Sequence, residues 1–125
     1  MKTFLKTSIK TSIKTSSKSK DGLSPRALAR VAQRFALLSD PSRLAILQAL
    51  MEGECAVGEL AAKLGQSQAN VSRHLGLLSD DGLVSRRKEG VRCHYRIADR
   101  SVERMCTLVC ESLARQLESE RGEFS

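Results

Sequence analysis

Residues 57–82 read Val57-GELAAKLGQSQANVSRHLGLLSDD-Gly82, and this stretch decides the fold. Leu60, Ala61 and Leu64 recur at helical spacing, which predicts a short helix from about Val57 to Leu64. Gly65 follows, where glycine turns the chain into positive φ without steric cost. A second helix is expected to start near Ser67, a good N-cap residue, and to bury Val71, Leu75 and Leu78. It should end at Asp80-Asp81-Gly82. Two short helices joined by a tight glycine turn, the second polar on its outer side, describe a helix-turn-helix.

Working upstream, Ser24-Pro25 and Asp40-Pro41 are both helix-start signals. The first opens an amphipathic helix carrying Leu28, Val31, Ala32, Phe35 and Leu38. The second opens a helix carrying Leu44, Leu47, Ala49 and Leu50 that stops at Gly53. Downstream, Leu83 to Lys88 and Val91 to Ile97 flank Glu89-Gly90 and predict a β-hairpin. Alternation puts Val91, Cys93, Tyr95 and Ile97 on one face, and Arg92, His94 and Arg96 on the other. A last helix is expected from about Asp99 to Glu118, with Val102, Met105, Cys106, Val109, Cys110, Leu113 and Leu117 on one stripe. The expected fold is mainly α, a winged helix-turn-helix with about five helices and one β-hairpin wing, dimeric through its terminal helices. The long apolar stripe of the last helix supports the dimer, because a domain of this size has little else to cover it.

The chain of 125 residues has room for one domain. Its net charge of +7 is unevenly spread. Residues 1–20 hold six lysines and no acid, whereas residues 21–125 hold 15 basic and 14 acidic side chains. The first segment repeats KTSI-like units and would stack lysines in one column if helical. Residues 1–22 are therefore expected to be a disordered lysine-rich tail, residues 23–120 the DNA-binding domain, and residues 121–125 a disordered C-terminus. There is no long apolar run and no signal-like segment, so a cytoplasmic protein without a membrane partner is expected.

The candidate DNA-binding face follows from residue chemistry. Ser67, Gln68, Asn70, Ser72, Arg73 and His74 lie on the second motif helix. Amides can pair with adenine, arginine with guanine, and hydroxyls with bases or phosphate. The hairpin adds Arg86, Arg87, Lys88 and Arg92, a basic wing suited to phosphate or the minor groove. His74 has a second reading, as packing beneath the helix.

Asp40-Pro41-Ser42-Arg43-Leu44, Glu59-Leu60-Ala61, Ser72-Arg73-His74-Leu75, Asp81-Gly82-Leu83-Val84 and Tyr95-Arg96-Ile97 are signposts of one family. On these motifs residues 24–118 resemble the ArsR/SmtB winged-helix repressors. The resemblance implies a homodimer joined by its first and last helices. It also implies binding to an imperfect palindrome of double-stranded promoter DNA, and repression until an inducer weakens that binding.

The family does not name the inducer, so the cysteines bear on it. Cys106 and Cys110 are one helical turn apart and can share a soft ion such as arsenite, antimonite, cadmium, lead or mercury, or can be oxidised. Their apolar setting leaves plain burial as the other reading. Cys55 is a candidate third ligand. The CxC pair common in the metal-responsive branch is broken here, since only Cys55 is present and it is displaced by one residue. The family's zinc site on the last helix is also broken: Asp99 matches its first carboxylate, but Ser101, Ser112 and Arg115 stand where histidines or acids are expected. Cys93 reads as packing. No cofactor is required by this reading. Control by a non-thiol ligand or partner stands as the alternative. An enzyme is not expected, since no CxxC and no Cys–His–acid arrangement is present.

Overall fold

The computed structural model describes residues 22–124, with side chains through residue 122. The lysine-rich stretch expected to be disordered lies outside the described residues. The chain divides into two compact units, one ending at Asp40 and one beginning at Pro41. The first contains helix α1 (Pro25–Leu38), capped by Ser24, whose hydroxyl accepts from the Ala27 N–H at 3.1 Å. Of its apolar stripe, Leu28 and Phe35 are exposed, while Val31 and Leu38 are half-buried.

The second unit runs α2 (Pro41–Met51), β1 (Cys55–Ala56), α3 (Val57–Leu64), α4 (Gln68–Asp80), β2 (Val84–Glu89), β3 (Arg92–Ile97) and α5 (Arg100–Phe124). Among the described residues, five helices and a β-hairpin make the expected winged helix-turn-helix. The core gathers Ile46, Leu47 and Leu50 from α2, Leu60 from α3, Val71, Leu75 and Leu78 from α4, and Leu83, Val84, Tyr95 and Val102. The α3–α4 turn closes as a Schellman motif. The Gln66 N–H reaches the Ala61 carbonyl at 3.0 Å and the Gly65 N–H reaches that of Ala62 at 3.4 Å. Gly65 sits at φ +64° with open space where a Cβ would stand. The cost of Gly65→Ala is then that of the backbone alone, about 1–2 kcal/mol. Urea unfolding should show a lowered midpoint at unchanged m; an unchanged midpoint would refute this account of the turn.

Three details differ from the sequence reading. Cys55–Ala56 forms a strand, making a three-stranded antiparallel sheet of order β1-β3-β2. Two residues carry no periodicity, so this strand exists only through pairing Cys55 with Tyr95 and Ala56 with His94. Val91 is not on the inner face of the hairpin but fully exposed, because the tight turn is Gly90-Val91 between the paired Glu89 and Arg92. The last helix runs on to Phe124 instead of ending near Glu118. Residues 121–124, expected to be disordered, therefore continue it. Among the described residues no helix is long and apolar enough to cross a membrane.

Candidate functional site

Helix α4 is packed against α2, α3 and β2, and among the described residues its other side carries exposed side chains. Ser67, Gln68, Ser72 and Arg73 are exposed there. Ser67 caps the helix, its hydroxyl accepting from the Asn70 N–H at 3.1 Å. Gln68 lies over Gly58, where a Cβ would stand 3.4 Å from its Nε2, so the bare glycine of α3 makes room for this amide.

Asn70 is placed differently from expectation, and His74 matches the second of its two readings, packing beneath the helix. Asn70 is half-buried and uses both ends of its amide on neighbours. Its Nδ2 donates to Gln66 Oε1 at 2.7 Å, and its Oδ1 accepts from Arg73 Nη2 at 2.9 Å. His74 is 5% exposed, so it is not on the outer face. Its spacing explains this: 71, 74, 75 and 78 are one helical stripe, and His74 shares it with Val71, Leu75 and Leu78. The buried ring stands between two arginines, with Nδ1 3.3 Å from Arg43 Nη1 and Nε2 3.5 Å from Arg73 Nη2. Only the unprotonated nitrogen of a neutral imidazole accepts. Asn70 and His74 thus both meet the Arg73 guanidinium at Nη2, and Gln66 holds the Asn70 amide in turn. Gln66 could have been found from its i, i+4 spacing to Asn70. Nothing in the sequence pairs Arg43 with His74, 31 positions away.

On the hairpin, Arg86, Arg87, Lys88 and Arg92 are all exposed. Arg87 is ion-paired with Glu54 and Glu89, which the sequence reading did not anticipate. The bidentate bond to Arg87 holds the Glu54 carboxyl below its ordinary range, and the arginine is correspondingly raised. Lys88 and Arg92 have no carboxylate partner among the described residues.

The thiols fall in two places. Cys106 is half-buried and Cys110 exposed on α5. Burial pushes the Cys106 thiol up, and the neighbouring Cys110 adds to the shift. Cys55 is half-buried on β1, its thiol also raised, first by burial and then by Glu59. Among the described residues no three His, Cys, Asp or Glu side chains converge to hold a metal. The three-thiolate set of Cys55, Cys106 and Cys110 is therefore not assembled within one chain. Cys93 is half-buried on β3, opposite Lys88. Asp99 serves as the cap of α5, its Oδ1 accepting from the Ser101 N–H at 2.9 Å and hydroxyl at 2.6 Å. Beyond the buried Val102, the helix exposes Leu108, Val109, Leu113 and Leu117.

Comparison with known proteins agrees with this architecture. Residues 40–86 match the model of the family "Bacterial regulatory protein, arsR family". The chain is 45% identical over 78 residues to the transcriptional regulator CmtR of Mycobacterium tuberculosis, covering 62% of this chain and 64% of that one. It is 46% identical over 67 residues to the arsenical resistance operon repressor of Escherichia coli, covering 53% and 57%. The matches thus span less than two thirds of either relative's length. A solved homodimeric winged helix-turn-helix DNA-binding domain from Mycobacterium bovis, named as a possible ArsR-family transcriptional regulator, superposes with a TM-score of 0.70. That match is 37% identical and covers 79% of this chain and 94% of the other. Sequence signposts, element order and these likenesses agree, and the chain belongs to the arsR family of bacterial regulatory proteins.

Proposed function

We propose that the chain is a homodimeric transcriptional repressor that binds an imperfect palindrome in promoter DNA. We propose further that it leaves that operator when cysteine thiolates bind a soft metal or metalloid, or are oxidised. The observation that carries the DNA-binding reading is the pairing of α4, exposing Gln68, Ser72 and Arg73, with a packed hairpin exposing Lys88 and Arg92. These are side chains for base edges and for phosphate respectively. The exposed apolar residues of α1 and α5 support a dimer, and two-fold symmetry would set the two α4 helices about one DNA turn, ~34 Å, apart. The arsenical-resistance name of one relative supports a soft-ligand inducer. The site lies on Cys106 and Cys110 in this reading, with Cys55 a further donor only if the second subunit brings it near.

Fluorescence anisotropy of the reduced protein on its own upstream promoter DNA tests both steps, with arsenite, cadmium and a polysulfide added in turn. Tight binding released by one of these supports the proposal. Tight binding that none of them releases would favour control by a non-thiol ligand.

The DNA face carries its own prediction. Arg73→Ala should cost about 1–3 kcal/mol of operator affinity and narrow the gap between operator and unrelated DNA. Lys88→Ala should weaken both DNAs alike and reduce the salt slope by about one. Wild-type affinity in both variants would show that the recognition surface lies elsewhere.

A further inference from the structure

Arg87 belongs by sequence to the basic wing, yet its guanidinium is already taken. Its Nε donates to Glu54 Oε1 at 3.3 Å, and its Nη2 donates to the other oxygen of the same carboxylate. Its Nη1 lies 3.6 Å from Glu89 Oε2. All three nitrogens therefore face carboxylates, and one positive charge meets two negative ones. Such a group is less available to phosphate than an arginine without carboxylate partners.

The position of the pair in the sheet gives it another role. Glu54 immediately precedes β1, and Arg87 is on β2. These strands are not neighbours, since both pair with β3 and lie at opposite edges of the sheet. Ala56 and Arg87 are both in register with His94 on β3. The ion pair thus crosses the sheet over the largely buried His94, whose Nε2 lies 3.5 Å from Glu89 Oε1. It ties the edge at the helix-turn-helix to the edge of the wing. A two-stranded ribbon on its own is marginally stable in water, so an outer hairpin gains from such a tie. The planar fork of arginine matches a carboxylate in two places, which a lysine cannot reproduce.

We propose that Arg87 is a positioning residue and not a DNA contact: with Glu54 it clasps the wing to the β1 edge, fixing the angle at which Lys88 and Arg92 meet the DNA backbone. This rests on the DNA-binding reading above. The sequence reading grouped Arg87 with the phosphate-binding wing because exposure and charge are the same for a clasp and a contact.

Two charge-conserving variants of the full chain, Glu54→Asp and Arg87→Lys, test it with two readouts. Amide exchange over residues 84–97, without DNA, should quicken roughly two- to five-fold in each. Operator affinity should fall by a similar factor, with the log–log salt slope unchanged. The double variant should be no weaker than the worse single one, because both remove one interaction. Four results overturn the proposal: unchanged exchange; Arg87→Lys binding as wild type while Arg87→Ala lowers the salt slope by about one; tighter binding by Glu54→Asp; or faster exchange with unaltered affinity while Lys88→Ala does weaken binding. Should Lys88→Ala and Arg73→Ala leave binding untouched as well, the DNA-face reading fails, and with it the positioning role. The exchange data then report the clasp separately.

Discussion

Leu75→Ala is expected to destabilise the protein by about 2–5 kcal/mol, the cost of deleting a fully buried leucine and leaving a cavity. Leu75 is 0% exposed and sits at the centre of the α4 stripe. That helix is packed against α2, α3 and β2, so the methyl groups of Leu75 are enclosed from several elements at once. Domains of this size are typically stable by about 5–15 kcal/mol, so the variant would lose a large part of the total. The consequence reaches function, because the same helix presents Gln68 and Arg73. A loosened anchor spreads their positions even in molecules that remain folded. Urea unfolding at fixed protein concentration measures the loss; fixing the concentration matters because dimerisation would add to apparent stability. Leu77→Ala is the control. It lies on the same helix but is 41% exposed, and its effect should be much smaller. Equal midpoints for the two variants would sink this description of the core.

The helices and the turn between α3 and α4 were legible because each left a local mark. Apolar residues recur at helical spacing in α2, α3 and α4, Ser24 and Ser67 cap their helices, and Gly65 stands where the chain enters the left-handed region. What stayed hidden was non-local. The two-residue strand at Cys55 is defined by its partner on β3, some 40 positions later. The extension of α5 to Phe124 follows no apolar pattern, as its last turns are polar.

The candidate site was half legible for a related reason. Residue types on α4 and the hairpin announce a polar, basic surface, but types alone do not say which groups are spent internally. Asn70 is engaged at both ends of its amide, and Arg87 at every nitrogen. The burial of His74 is one of the two readings its sequence position offers, since it shares the 71–75–78 stripe, and its polar character is what left the DNA-contact reading beside it. Likewise His94 was grouped with exposed arginines by alternation, whereas β3 is the central strand and leaves it largely covered.

Replacing both Cys106 and Cys110 by Ser is expected to preserve operator binding and abolish its release by arsenite or cadmium. Serine keeps the size of the side chain but supplies a hard oxygen where the soft ligand needs a thiolate. Cys110 is exposed and Cys106 only half-buried, so the fold should tolerate the exchange, with a stability change well below that of Leu75→Ala. Release by the two ligands should differ in its response to pH. Burial of Cys106, reinforced by the neighbouring Cys110, raises that thiol, so it is largely protonated near neutrality. Cadmium displaces the proton from each thiol it binds, and each proton released adds about tenfold in apparent affinity per pH unit below the thiol pKa. Raising the pH should therefore lower the cadmium concentration needed for release, and lowering it should do the reverse. Arsenite condenses instead: two thiols and As(OH)3 give a dithiolate and two waters, with no net proton released, so its midpoint should stay nearly level. Anisotropy titrations from about pH 6 to 8 separate these behaviours. A double-serine variant that still releases DNA at wild-type inducer concentrations would place both thiols among the packing residues, and the controlling ligand would then act without them.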